Sequence, residues 1–349
     1  MYKTLNALLV VLILAVSASS FAASKQVASN QGRIGPSEYL TRPDSLAFID
    51  EMVKKHKFQR AHLMEMFRRV NKLDRLFEIM NRPAEAKPWH DYRPIFVTDK
   101  RAKLGVTFWQ ENAHILKRAE KKYGVPAEII VAIIGVETRY GGYTGRDPVL
   151  DVLTSFAFDY PKRAKFFRKE LEQFLLLTRE EGIDPHKPMG SYAGAMGMPQ
   201  FISSSYRMYA VDFDNDGVRD LWESNEDVIG SVANYFSRHG WRKGAEVILP
   251  VPAKSHLKAE QLNTRLKPAF SRKQLSRAGI AASLTSQLDK NEKVSLIALQ
   301  QADGMEYVLG RHNFYVITRY NHSPLYAMAV YQLSQRIKTF RDSALAASN

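Results

Sequence analysis

The stretch Ile129-Ile130-Val131-Ala132-Ile133-Ile134-Gly135-Val136-Glu137-Thr138-Arg139-Tyr140-Gly141-Gly142 constrains the fold more than any other. Everything before Glu137 in it is apolar or glycine, so a helix built from it is apolar on nearly all sides and must be buried. Pro126 suits the start of that helix and Gly141 its stop. Glu137 follows Ile133 by four residues and Ile130 by seven, so it shares their face and looks inward. Burial opposes ionisation of a carboxyl, and the negative end of the helix dipole pushes the same way. Glu137 is therefore expected to keep its proton near neutral pH, as a general acid must. The alternative is that Glu137 merely ends a core helix and reaches solvent.

The chain has 349 residues, room for two or three domains and a sizeable core. Residues 1–22 read as a cleaved secretory signal: Lys3 precedes an apolar run over 7–16, and Ser20-Phe21-Ala22 puts small residues at the two cleavage positions. The run is shorter than a membrane span needs, although an uncleaved anchor is the competing reading. Cysteine is absent, which removes disulfides, thiolate metal sites and lipid attachment to an N-terminal Cys. The expectation is a soluble, exported, periplasmic chain. Its formal charge of +14 favours polyanionic partners, and export points to an anionic wall polymer and away from nucleic acid.

After a polar tail over 23–41, helical patterns begin. Asp44 or Ser45 can cap a helix reaching about Lys55; Phe58, Leu63, Met66, Phe67 and Val70 suggest a second, and Leu73, Leu76, Phe77 and Met80 a third. Arg82-Pro83 and Lys87-Pro88 break the pattern, and Trp89-His90-Asp91-Tyr92-Arg93-Pro94 reads as an aromatic, polar loop able to meet sugar rings. One helix is expected over about 98–123. Beyond Gly142, a turn leads to a short helix through Ser155. Tyr160-Pro161 then introduces a long helix with Phe166, Phe167, Leu171, Phe174 and Leu175 on one face. Lys162, Arg163 and Arg168 crowd its first half against the dipole preference, so they are expected to face solvent or an anionic partner. A helix is expected over 229–236. From about Gly244 short strand-like runs appear at 246–249, 294–299, 307–309 and 313–316. A basic region of Lys254, Lys258, Arg265, Lys267, Arg272, Lys273 and Arg277 lies among them. A last helix carries Tyr326, Ala329, Val330 and Leu333.

Two further stretches carry chemistry. Residues 190–201 hold Gly190, Gly194 and Gly197, which let backbone approach a ligand, while Ser191 and Gln200 offer a hydroxyl and an amide suited to sugar hydroxyls and acetamides. Asp212-Phe213-Asp214-Asn215-Asp216-Gly217 alternates oxygen ligands and adds the glycine of a sharp turn, as calcium loops of the EF-hand type do. Val218 would give its backbone carbonyl, and Glu223 or Asp227 would close the site. The loop's cation is expected to be structural. No histidine pair has zinc spacing, and neither a phosphate loop nor a Gly-x-Ser-x-Gly elbow occurs, which leaves carboxylate-driven chemistry.

Val136-Glu137-Thr138-Arg139-Tyr140-Gly141, the 190–201 stretch, the Asp212 loop ending in Leu221-Trp222, Ile229-Gly230-Ser231-Val232-Ala233-Asn234-Tyr235, and Asn313-Phe314-Tyr315-Val316-Ile317-Thr318-Arg319-Tyr320-Asn321 together resemble the lytic murein transglycosylase B family, over about residues 40–338. The resemblance implies an α+β, mainly α, fold: a lysozyme-like core, an α-helical domain and a small β-containing domain. The division expected is 1–22 signal, 23–97 α domain completed by 319–349, 98–243 catalytic core with the calcium loop, and 244–318 the β-containing domain.

The resemblance also implies Glu137 as the catalytic acid/base. Ser191, Gln200, Tyr235, Tyr320 and Asn321 would line the sugar groove or hold Glu137, with Tyr92 and Arg163 as looser matches. It implies Ca2+ held by Asp212, Asp214, Asp216, Val218 and Asp227, which makes Glu223 the weaker closing ligand. Lys162 stands where many members carry a second Arg and cannot make the same planar contact. Peptidoglycan glycan strands are the implied partner, with cell-wall synthesis or hydrolysis proteins beside them and a monomeric chain.

Glycosidases ordinarily use two carboxylates. Only Glu137 has the expected buried setting, so one residue would act as acid and then as base, closing 1,6-anhydro-N-acetylmuramic acid ends. A lysozyme-type hydrolase and a murein-binding scaffold without catalysis are the competing functions.

Overall fold

In the computed structural model, which describes residues 37–81, 87–252, 257–259 and 266–348, the opening apolar run forms the helix Ala127–Thr138. The signal reading of 1–22, residues 23–36 of the expected tail, the Arg82-Pro83 break, and Lys254 and Arg265 of the basic region lie outside the described residues, whereas the end of that tail is folded, with Tyr39 of the 3-10 turn Glu38–Leu40 buried and donating its hydroxyl to Asp159 at 2.7 Å. Every residue of Ala127–Thr138 except Glu128 is buried, as an all-round apolar helix requires. Among the described residues no helix is long and apolar enough to cross a membrane.

The described chain divides into two units, one of 87–143 with 209–348 and one of 37–81 with 144–208. The domain boundaries expected at 97/98 and 243/244 both fall inside the first unit. There, Ala127–Thr138 is wrapped by the helices Asp99–Glu111, Ala113–Tyr123, Asn225–Arg238 and Pro324–Ser348. An antiparallel sheet completes this unit, with Gly304–Gly310 between Ile248–Pro250 and Ser295–Gln301. Residues 249–309 carry their own cluster of buried Leu249, Phe270, Leu275, Leu288, Leu296 and Leu309.

In the second unit the helices Val149–Asp159 and Ala164–Glu180 pack together, and the helices Pro43–His56, Arg60–Arg68 and Arg75–Asn81 match the three expected near the start of the chain. A short antiparallel pairing joins Asp147–Pro148 to Met189–Gly190. It requires close backbone approach: a Cβ on Gly145 would lie 2.0 Å from the Gly190 carbonyl carbon.

Three expectations fail locally. Trp89-His90-Asp91-Tyr92-Arg93-Pro94 is not a loop but most of the helix Trp89–Phe96. Pro88 takes the N-cap, where its carbonyl accepts from the Asp91 and Tyr92 amides at 3.1 and 3.0 Å, and Pro94 removes one internal bond without ending the helix. The single helix expected over 98–123 is two, Asp99–Glu111 and Ala113–Tyr123, broken at Asn112 (φ −114°, ψ 22°). Asn112 Nδ2 donates to the Phe108 carbonyl at 2.9 Å, the local competition for backbone acceptors that short polar side chains offer. The run 313–316 is not a strand but part of the helix His312–Tyr320. Its β-branched and aromatic residues favour a strand, but burial of Phe314, Ile317 and Thr318 follows helical spacing. Asn313 also ties it to the backbone of Arg242 and Ala245.

Candidate active site

Ala127–Thr138 ends earlier than Gly141. The Arg139 amide donates to the Gly135 carbonyl at 3.2 Å and the Tyr140 amide to the Ile134 carbonyl at 3.3 Å, the paired bonds of a Schellman-type stop. Arg139, Tyr140 and Gly141 are all left-handed, at φ 53°, 62° and 83°. The two non-glycine residues each cost about 1–2 kcal/mol in that region, so the surroundings must hold the turn. Tyr140 does much of this, donating its hydroxyl to the Arg101 carbonyl at 3.0 Å. A Cβ on Gly135 or Gly105 would come within 2.4 or 2.5 Å of that hydroxyl oxygen, so both helices need glycine where the ring crosses them.

This turn leaves Glu137 in the last helical turn, 6% exposed. Burial pushes its carboxyl up from 4.5 to about 7, and one hydrogen bond pulls the other way: Tyr326 Oη donates to Oε1 at 2.5 Å. Oε2 is buried and has no hydrogen-bond partner among the described residues. A group in this state holds a transferable proton near neutral pH and keeps one oxygen uncommitted, the requirement for a general acid.

Tyrosines surround it. The Tyr326 ring stacks with Tyr320 at 6.5 Å between centroids, and Tyr320 meets Tyr235 at 4.7 Å. Burial, then the nearby Glu137 charge, pushes the Tyr320 and Tyr326 hydroxyls well above the ordinary tyrosine range, so both stay protonated donors. Tyr235 donates to the Arg319 carbonyl at 2.5 Å and stacks on His239 at 4.1 Å. Asn321 is buried at the C-cap of His312–Tyr320. Tyr92 packs on Phe96 at 5.1 Å and acts electrostatically on Tyr326. Tyr235, Tyr320, Asn321 and Tyr92 therefore share the first unit with Glu137, with electrostatic or ring contacts linking Tyr235, Tyr320, Tyr92 and Tyr326. Tyr326 is not legible as a site residue in the sequence, because a tyrosine on an amphipathic helix reads as core.

Ser191, Gln200 and Arg163 belong to the second unit. Ser191 Oγ accepts from the Ala195 amide at 3.0 Å and so shapes its own loop. Gln200, left-handed at φ 52°, donates its side-chain nitrogen to the Thr144 and Gly197 carbonyls at 3.0 and 2.9 Å. Its amide hydrogens thus brace the loop, and only its oxygen is left for sugar. Arg163 and Arg168 do not simply face solvent: the Arg163 guanidinium lies 4.6 Å over Phe166 and that of Arg168 5.1 Å over Phe158. Lys162 is exposed.

The expectation that Glu137 alone would be a buried acid is not met. Asp151 is buried and raised by that burial to about 6, and Glu170 is 5% exposed and also raised. Both occupy the second unit.

The Asp212 loop has the geometry of a cation site. Carboxylate oxygens of Asp212, Asp214 and Asp227 all lie within 4.8 Å of one another. Oxygens bound to one Ca2+ at about 2.3–2.6 Å can be separated by no more than roughly 5 Å, so these three fit a shared ion. Asp227 is raised first by burial and also by the charges of Asp214 and Asp212, the repulsion a cation would relieve. Its two oxygens accept from the Phe213 and Asp220 amides at 2.6 and 2.7 Å, which fixes it against the loop. Asp216 and Val218 are exposed, and the carboxylates of Asp216 and Glu223 stand outside the set of three.

A family model for the transglycosylase SLT domain matches residues 41–335. The chain is 43% identical to membrane-bound lytic murein transglycosylase B of Escherichia coli strain K12 over 314 residues, 87% of this chain and 85% of that relative. The chain belongs to the transglycosylase SLT domain family. Among solved members of similar fold, catenated lytic transglycosylase SltB1 from Pseudomonas aeruginosa has a TM-score of 0.83 at 47% identity, covering 87% of this chain and 100% of that one. The Escherichia coli lytic transglycosylase Slt35 in complex with calcium has a TM-score of 0.79 at 43% identity, covering 88% and 96%. The resemblance read from the sequence and its mainly helical, lysozyme-like fold class are thereby confirmed for this SLT-domain chain.

Proposed function

We propose that this chain cleaves the β-1,4 bond between N-acetylmuramic acid and N-acetylglucosamine in peptidoglycan, with Glu137 as its single acid/base. That it is a lytic murein transglycosylase follows from its family and its 43% identical relative. The assignment to Glu137 rests on one observation: a buried carboxyl, raised to about 7, with one oxygen held by Tyr326 and the other uncommitted.

Protonated Glu137 gives its proton to the glycosidic oxygen as the C1–O bond breaks, and the N-acetylglucosamine leaves with a hydroxyl. The acetamide oxygen of the muramic acid attacks C1 and holds it. Glu137, now ionised, takes the proton of the C6 hydroxyl, whose oxygen displaces the acetamide at C1. The ring closes as 1,6-anhydro-N-acetylmuramic acid, Glu137 is protonated again, and no water is consumed. Proximity favours the internal hydroxyl over bulk water. Ser191, Gln200, Tyr235, Tyr320, Asn321, Tyr92 and Arg163 are assigned to sugar binding or to holding Glu137. Mass analysis of digested murein tests the reaction: anhydro ends are expected, and reducing, hydrated ends would make the enzyme a lysozyme-type hydrolase.

Asp212, Asp214 and Asp227 would hold Ca2+, with Asp216 and the Val218 carbonyl as further ligands once the loop closes on the ion. Its role is structural, since no sugar chemistry requires a hard cation there. A ligand present at about 100 times its Kd contributes roughly 2.7 kcal/mol, so chelation is expected to lower the melting temperature by several degrees. Calcium should restore it, and an unchanged melting temperature would remove calcium from the assignment. Export to the periplasm as a soluble enzyme is read from 1–22 and agrees with a murein substrate.

A further inference from the structure

The second unit contains a cavity of about 390 Å³ that shares no lining residue with Ser191, Gln200 or Arg163. It lies beside the turn 57–59 that joins the helices Pro43–His56 and Arg60–Arg68, and the last turns of Ala164–Glu180 close it. Phe58, Met66 and Leu175 give it a buried apolar floor, while Lys57, His62 and Arg179 are exposed at its mouth. Its volume falls in the range of small-ligand pockets, about 300–1,000 Å³.

The mouth carries positive charge that no acid consumes. The Arg179 guanidinium lies 4.1 Å over the Phe58 ring and its Nη1 donates to the His56 carbonyl at 2.8 Å, but it has no carboxylate partner among the described residues. Lys57 Nζ donates only to the Lys54 carbonyl, at 3.1 Å, and His62 makes no hydrogen bond or ion pair among those residues. No acid lines the cavity. Those nearby are engaged elsewhere: Glu172 accepts from Lys55 and His56 at 2.6 and 2.7 Å, Glu180 from Arg207 Nε at 2.9 Å, and Asp184 from the His186 amide at 3.0 Å. The floor offers little to a sugar. Thr178 is the hydroxyl among the lining residues, and it donates its proton to the Leu175 carbonyl at 3.2 Å.

We propose that this cavity binds a single-chain organic anion, with an apolar chain on Phe58, Met66 and Leu175 and a carboxylate at Lys57, His62 and Arg179. An alkyl chain gains by leaving water for that floor, whereas sugar hydroxyls set there would lose their hydrogen bonds. A carboxylate at the mouth meets an ammonium and a guanidinium with free N–H donors, and charge-assisted bonds of this kind are the strong ones. The proposal does not rest on the reaction assigned to Glu137.

Octanoate titrated into the full chain by calorimetry is the probe, beside octanol, which keeps the chain without the charge, and octylammonium, which reverses it. Octanoate is expected to bind about tenfold tighter than octanol, and octylammonium more weakly than either. Lys57→Gln combined with His62→Gln should lower octanoate affinity about tenfold and leave octanol within about twofold. Ile183→Trp fills the cavity from its half-buried edge and should weaken octanoate and octanol alike. If that variant fails to fold, as judged by melting, the exposed pair decides alone. Absent binding, octanoate no tighter than octanol, or octanoate affinity untouched by the variants would overturn the proposal. Murein digestion by the same variants should stay near wild type. A loss that parallels the loss of octanoate would make the cavity part of the glycan groove and would overturn the proposal as well.

Discussion

Glu137 in the first unit and Glu170 in the second are nearly matched as buried acids, at 6% and 5% exposure, and burial raises both. Their oxygens differ. Glu170 accepts from the Ser204 amide at 2.9 Å on one oxygen and from the Ser204 hydroxyl at 2.8 Å on the other. Glu137 receives one bond, from Tyr326, and its second buried oxygen receives none among the described residues. Burial raises a carboxyl in either setting, but only Glu137 keeps an oxygen available for substrate. A saturated buried acid is part of the scaffold; an unsaturated one stores unfavourable free energy that a substrate can relieve.

Glu137→Gln should produce the largest effect. Loss of the proposed proton donor and acceptor is expected to reduce anhydro-end formation about a thousandfold, within the usual range for a general acid–base group, measured as product release from purified murein. Near-wild-type turnover would end the assignment. The same variant has a stability signature. At pH 4 the Glu137 carboxyl is protonated folded or unfolded, so it imposes little cost. Between about 4.5 and 7 the unfolded chain loses its proton while the folded chain keeps it, and stability falls as pH rises. The accumulated cost is about 3 kcal/mol above that window. Glutamine removes it, so the variant should gain on wild type in denaturant midpoint from pH 4 to pH 8. A constant difference across that range would mean that Glu137 is not held protonated.

The sequence made one side of this contrast legible. An apolar run on all faces of a helix forces the acid at its end, Glu137, inward, and no tertiary information is needed to see it. The loop from Asp212 was legible for a similar reason, because ligand spacing in a calcium loop is local. Tyr326 was not, since it reaches Glu137 across 189 residues of sequence and its helix pattern is that of a core tyrosine. Glu170 was invisible too: it follows Arg168 and Lys169, and such a run reads as a solvated face. The misread segments have separate causes, one local and one distant. Asn112 breaks a helix through one side-chain bond, and 313–316 becomes helical through its burial and the bonds of Asn313 to distant backbone.

A smaller change should come from Tyr326→Phe. The tyrosine hydroxyl stabilises the ionised carboxylate and so holds Glu137 below the value burial alone would set. Without that bond the carboxyl should titrate higher, and the high-pH limb of kcat/KM, where the acid form is lost, should move upward. The shift is expected to stay near one pH unit, about 1.4 kcal/mol. A downward shift would show that the hydroxyl favours the protonated form, and Glu137 would then need another explanation for its proton affinity.

The smallest effect expected is for Glu170→Gln, and it bears most directly on the contrast. The glutamine oxygen can still accept from the Ser204 amide, and its NH2 can donate to the Ser204 hydroxyl, which is able to turn from donor to acceptor. Both bonds survive, so stability at neutral pH should change by no more than about 1 kcal/mol and turnover by no more than a few-fold. Melting curves and murein digestion measured together decide the matter. If Glu170→Gln folds normally yet loses turnover as deeply as Glu137→Gln, then a fully bonded carboxylate is also chemically required. Two acids would then share the work, and the single acid/base would give way to the paired carboxylates of an ordinary glycosidase.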